Sequence, residues 1–121
     1  MQNIDRWFVG AGIILGIAGM LMGIDMGMRQ DFTLAPVHAH LNLVGWVSLL
    51  LFGLAYRAGL ARSDGWATAH FWIALAGAII FPIGISVAIT AQQPALAIVG
   101  ALLSLLSMLL FLANFLRARA A

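Results

Sequence analysis

Four long apolar runs constrain the fold of this chain more than any other feature of its sequence. They cover residues 7–28, 37–58, 66–89 and 95–116, and each is close to the roughly 20 residues that an α-helix needs to cross a bilayer. The chain of 121 residues is 64% hydrophobic and only 8% charged. Because a soluble domain of this size needs more polar surface, the sequence predicts an all-α integral membrane bundle of four helices in a single domain, residues 1–121.

The connections between these runs, together with the arginines, predict the topology. The connections are short, so neighbouring helices should be antiparallel and both termini should lie on one side of the membrane. All six basic residues are arginine, and only Arg29 falls on the other side. By the positive-inside rule the termini are expected to be cytoplasmic, in the inner (cytoplasmic) membrane of a bacterium. Arginines at helix ends do not form a nucleic-acid-binding surface, so no nucleic-acid partner is expected.

Two histidines, His38 and His40, open the second apolar run. Imidazoles in a spanning segment are costly to desolvate and are usually kept for function. Residues two apart on an α-helix are rotated by about 200°, so the two rings should point to opposite sides. One helix cannot easily chelate a single metal with both rings, but it can offer one ligand to each of two sites on its two flanks.

The face of the second helix that carries His38 is notched by small residues. At about 100° per residue, this face also carries Asn42, Gly45 and Gly53, while Trp46 lies between this face and the smoothly aliphatic opposite face. A notch below an axial histidine is the shape that the edge of a porphyrin would use. The same glycines equally suit the packing of another helix, and the sequence leaves both readings open.

The first helix carries a series of glycines in the small-xxx-small pattern: Gly12, Gly16, Gly19, Gly23 and Gly27. This pattern lets another helix or a flat ligand approach closely, and packing within the chain is its more common role. Asp25 and Arg29 are four residues apart near the outer end of the same helix, a spacing that predicts a local ion pair.

The third histidine, His70, lies near the start of the third run, beside Trp66 and Trp72. It belongs to the opposite membrane face from the first two histidines, so it cannot share a metal with them in one protomer. A histidine flanked by tryptophans near the membrane interface typically anchors the helix there. Tyr56, at the end of the second run, is interpreted as an interfacial anchor in the same way.

The segment His38-Ala39-His40, followed by Gly45-Trp46, resembles the haem-ligand helix of haem-copper oxidase subunit I. In that family the two rings of a His-x-His ligate two different haems, and the core subunit has twelve helices arranged as three similar arcs of four. The resemblance implies that this chain corresponds to a single arc. No third histidine lies at the outer level, so a haem-copper centre and oxygen reduction are not expected.

The resemblance implies a membrane cytochrome b-like protein with a bis-His, low-spin haem b, serving electron transfer or redox sensing with an unknown redox partner. His38 and His40 would be the axial ligands, and Arg29 would bind the haem propionates because guanidinium pairs bidentately with carboxylates. It also implies a homotrimer with haems between protomers, in contact with membrane lipid. The remaining residues expected near the cofactor are Asn42, Gly45, Trp46 and Gly53.

Two other functions remain open at this point. Histidine is also a common ligand of copper and zinc, so the pair is compatible with a non-haem metal site between protomers. The chain is also compatible with an accessory subunit of a terminal oxidase that binds no cofactor. The absence of cysteine excludes thiolate metal sites and covalent c-type haem attachment.

Overall fold

The computed structural model describes residues 3–120, which form four long helices. We label them α1 (Ile4–Arg29), α2 (Ala35–Arg57), α3 (Gly65–Ala91) and α4 (Ala95–Ala120). Each helix is long and apolar enough to cross a bilayer, which confirms, for the described residues, the prediction of an all-helical fold with four helices of spanning length, as expected of a multi-pass membrane protein. The chain reverses direction at each connection, so the described residues nearest to the two termini lie at the same end of the bundle. We call this the terminal end and the opposite one the loop end.

The ends of the helices follow local backbone signals. Gln30 and Gln92 adopt the left-handed conformation just after α1 and α3, with φ values of 50° and 57°, a common way to stop a helix. Pro36 occupies the first turn of α2, where its missing N–H has no cost. Asp64 caps α3, because its side chain accepts a hydrogen bond from the Trp66 N–H at 3.1 Å.

Helix α2 contains a π-helical segment, Leu41–Val47, directly after the two histidines. Residues before it, Ala35–His40, are α-helical, and so are those after it, Ser48–Arg57. Within this helix the Ser48 hydroxyl donates to the Leu43 carbonyl at 2.7 Å. Segments of π-helix are rare and occur frequently at functional sites. The 100° spacing of an α-helix therefore does not hold across the middle of α2.

Helix α2 packs on a stripe of glycines along α1: Gly12, Gly16, Gly19 and Gly23. A Cβ atom on Gly19 would lie 2.5 Å from Asn42 Oδ1, and one on Gly23 would lie 2.7 Å from His38 Cε1. Only glycine leaves room for these side chains. These four glycines of the small-residue pattern therefore serve packing within the chain, whereas a Cβ atom on the fifth, Gly27, would meet no atom within 4 Å.

Trp46 also belongs to this contact, which corrects its expected place between the two faces of α2. A Cβ atom on Gly16 would lie 3.0 Å from the indole Cδ2 atom of Trp46, so the indole covers that glycine. Trp46 lies inside the π-helical segment, where i→i+5 hydrogen bonding replaces the spacing of an α-helix. This change of spacing explains the difference from the expected position.

Helices α3 and α4 cross at an even closer distance. A Cβ atom on Gly84 would lie 2.5 Å from the Leu96 carbonyl carbon, and one on Gly100 would lie 2.5 Å from the Phe81 backbone nitrogen. Both contacts involve backbone atoms, which no change of rotamer can move. These two glycines therefore fix the distance between the helices.

An aromatic cluster at the terminal end joins all four helices. At its centre is His70 of α3, whose ring centroid is 4.9 Å from that of Phe8 in α1 and 4.6 Å from that of Phe52 in α2. Phe111 of α4 lies on another side of the same ring at 5.7 Å. This end of the bundle therefore has the best-defined core.

Candidate functional site

His38 lies half-buried between α1 and α2, and main-chain and side-chain groups fix its position. Its Nδ1 atom is 2.8 Å from the Gly19 carbonyl oxygen, so the Nδ1–H group donates to α1. Asn42, one turn further along α2, donates from Nδ2 to the His38 carbonyl at 2.9 Å. The ring rests against Gly23. The expected association of Asn42 with the His38 face is confirmed.

His40 is held in the same way on the opposite flank of α2. Its Nδ1–H group donates to the Pro36 carbonyl at 2.7 Å. Its ring packs edge-on against Phe81 of α3, with 4.8 Å between the ring centroids. One imidazole therefore lies toward α1 and the other toward α3, as the α-helical spacing of the pair predicts.

Both histidines make a hydrogen bond from Nδ1–H to a main-chain carbonyl, as metal-ligating imidazoles typically do. A proton on Nδ1 leaves the lone pair of the neutral ring on Nε2. Among the described residues, neither Nε2 atom has a hydrogen-bond partner. The same part of the chain contains no group of three or more His, Cys, Asp or Glu side chains that could hold a metal ion. One chain therefore offers a single imidazole ligand on each flank of α2.

The glycines of α2 face α1 rather than an open notch. A Cβ atom on Gly45 would lie 3.1 Å from the Leu15 side chain, and one on Gly53 would lie 2.8 Å from the Asp5 carbonyl oxygen. Helix α1 therefore fills the space where a porphyrin edge was expected. Of the two roles that the sequence left open, these residues serve helix packing.

Arg29, the expected partner of haem propionates, lies at the loop end of α1 and forms an ion pair with Asp25. This local pair was predicted from their spacing and is confirmed. The Arg29 side chain is 70% exposed. Arg29 thus lies at the same end of the bundle as the two histidines, and its exposure makes the guanidinium accessible to a ligand. Its binding of a haem propionate remains a prediction.

The expectation that His70 and Tyr56 are interfacial anchors is wrong. The two residues are only 0% and 4% exposed. The Tyr56 hydroxyl oxygen is hydrogen-bonded to His70 Nδ1 at 2.9 Å, and the Ser107 hydroxyl oxygen is hydrogen-bonded to His70 Nε2 at 3.1 Å. Both ring nitrogens of His70 are thus engaged inside the bundle, so neither is free to bind a metal.

This hydrogen-bonded chain continues from the core to the terminal end. Asn114 donates to the Tyr56 hydroxyl oxygen at 3.0 Å and accepts from Arg117 at 2.7 Å. Arg117 in turn pairs with Asp64 at 2.8 Å, and this guanidinium holds the pKa of the Asp64 carboxyl below its usual range. The network links α2, α3 and α4 through polar contacts between helices.

No protein-family model, curated protein or solved structure matches this chain. The chemistry of the candidate site therefore rests on the geometry of His38 and His40.

Proposed function

We propose that this chain is a membrane b-type haem protein in which His38 and His40 bind iron through Nε2. The proposal rests on the hydrogen bonding of the two imidazole rings. Each Nδ1–H donates to a main-chain carbonyl, and among the described residues each Nε2 has no partner. A hydrogen bond of this kind fixes the tautomer, orients the ring and raises the basicity of the ligating nitrogen.

The donors present fit haem as the cofactor. Neutral imidazole is a common axial ligand of haem iron, and the bound group supplies a one-electron carrier whose potential depends on its ligands and burial. The Gly19 carbonyl orients His38, and the Pro36 carbonyl orients His40. The exposed guanidinium of Arg29 has the donor geometry for a haem propionate.

The opposed rings support an assembly of several copies. Each flank of α2 presents one imidazole, so a haem with two histidine ligands takes His38 from one protomer and His40 from the next. Such a contact is heterologous, and its repetition closes a ring. The resemblance to one arc of a twelve-helix, pseudo-threefold fold favours a homotrimer.

In this proposal the protein transfers electrons or senses redox state for a partner that remains unidentified. With both axial positions occupied by histidine, oxygen has no open coordination site, so oxygen reductase activity is not expected. The arginines concentrated at the terminal end favour cytoplasmic termini in a bacterial inner membrane.

An absorption spectrum combined with metal analysis of the purified full chain tests the proposal. Protein from haem-replete cells is expected to show sharp b-type bands in its reduced-minus-oxidised spectrum, with one haem per chain. Carbon monoxide should barely change the spectrum because both axial sites are filled. A colourless protein that contains copper or zinc would indicate a metal site between protomers instead of a haem site. A colourless, metal-free protein would favour an accessory subunit without a cofactor.

A further inference from the structure

An apolar groove with a volume of about 340 Å³ runs between α1 and α2 near the terminal end. Its apolar lining includes Val9, Gly10, Ile13 and Leu54. Ile13 and Leu54 are 46% and 51% exposed, so the groove opens to the surroundings of the bundle. A Cβ atom on Gly10 would meet no atom within 4 Å, which shows that helix packing does not fill this part of the surface.

The end of the groove nearest the chain termini is positively charged. Arg6, Arg57 and Asp5 line it, and two guanidinium groups with one carboxylate give it a net charge of +1. Arg57 pairs with Asp5 at 3.0 Å. The Arg6 guanidinium has no ion-pair partner among the described residues, so its charge is available to a ligand.

We propose that this groove binds an anionic phospholipid, with an acyl chain along the apolar part and the headgroup phosphate at Arg6 and Arg57. From Arg6 to Ile13 the helix rises about 10 Å at 1.5 Å per residue, so the groove extends from the headgroup level into the hydrocarbon. Basic pockets between spanning helices are typical binding sites of anionic headgroups.

The charge of the groove favours lipid over a second copy of the chain docked through the same face. A second copy docked here through the same face would bring its own Arg6 and Arg57 to the same level, where like charges repel. A lipid phosphate brings the opposite charge. The groove lies at the other end of α2 from His38 and His40, so this inference is independent of the proposed haem site.

Native mass spectrometry of the delipidated full-length protein in detergent tests this site, with phosphatidylglycerol and phosphatidylcholine as the added lipids. Phosphatidylglycerol is expected to bind more tightly. Arg6→Gln should weaken its binding about fivefold, the effect of one basic residue near a lipid surface, and should weaken phosphatidylcholine binding less, because the choline cation offsets the charge of its phosphate. Arg119→Gln is the matched control, because it removes the same charge at the terminal end without lining the groove, and it should have no effect.

A second pair of variants tests the apolar part of the groove without disturbing the fold. Gly10→Leu places a side chain in open space and should abolish binding of the lipid, whereas Gly27→Leu, at the other end of α1 and equally free of neighbours, should not. Equal affinity for the two lipids, or unchanged binding by Gly10→Leu, would overturn the proposal. A changed oligomeric state of Gly10→Leu with lipid binding intact would also overturn it, because the groove would then be a contact between copies.

Discussion

Replacing Ser107 by alanine removes the hydrogen-bond partner of a histidine that solvent does not reach. Ser107 Oγ is 3.1 Å from His70 Nε2, and His70 is fully buried. Ser104, one turn earlier on α4, instead donates to the Gly100 carbonyl of its own helix at 2.9 Å. Both substitutions delete one hydroxyl from the same helix, but only Ser107→Ala leaves a buried ring nitrogen without a partner.

The expected cost of Ser107→Ala follows from that difference. An unpaired buried hydrogen-bond donor or acceptor costs about 1–3 kcal/mol. Hydrogen bonds between membrane helices average about 0.6 kcal/mol and reach about 1.7, because the unfolded chain in lipid also finds partners. We therefore expect Ser107→Ala to lower the free energy of unfolding by about 1–2 kcal/mol. Ser104→Ala should lower it by less than about 0.5 kcal/mol, since the Gly100 carbonyl keeps its helical hydrogen bond.

Reversible unfolding in detergent micelles, followed by far-ultraviolet circular dichroism, measures both values. A His70→Leu background completes a double-mutant cycle, because an apolar side chain at position 70 no longer needs the Ser107 hydroxyl. In that background Ser107→Ala should cost less than about 0.5 kcal/mol. The reasoning is refuted if Ser107→Ala costs the same in both backgrounds, or if Ser104→Ala costs as much as Ser107→Ala.

Two further predictions concern packing and pH. Gly100→Ala should lower the unfolding temperature strongly, because the added methyl group meets the backbone of Phe81. Gly27→Ala is the control and should not lower it, because its methyl group enters open space. Equal effects of the two variants in a thermal scan would contradict this packing. Because Arg117 holds the pKa of Asp64 below its ordinary value of 3.8, this ion pair stabilises the fold above that value, and the contribution is lost as pH falls through the lower folded-state pKa. Asp64→Asn should therefore destabilise the protein at neutral pH and flatten the acid side of its stability profile; an unchanged profile would contradict the assignment.

The main features of the fold could be predicted from sequence because lipid imposes simple requirements. Each apolar run had to be a helix, since lipid cannot satisfy backbone hydrogen bonds. The opposed directions of His38 and His40 could also be predicted, because both residues lie in the α-helical first part of α2. The position of Trp46 could not, because nothing in its local sequence indicates the π-helical segment that changes the spacing.

The role of His70 could not be predicted because sequence gives the level of a residue along its helix but not which neighbouring helices its side chain contacts. The available signal was the shared depth of polar residues on three helices. Tyr56, His70 and Asn114 all lie near the terminal end, and a polar residue at that level on each of three spans favours one network over three separate anchors. The glycines of α1 posed the same problem, because their pattern indicates a close neighbour without identifying it.

Co-expression of two differently tagged chains, one carrying His38→Ala and the other His40→Ala, tests most directly whether haem is held between protomers. Oligomers of either variant alone are expected to lack the six-coordinate, low-spin haem, because every junction has lost one ligand. Mixed oligomers, purified through both tags, should regain one such haem per trimer at the junction that joins an intact His38 to an intact His40. Full low-spin haem in either variant alone, or none in the mixed oligomers, would contradict the account.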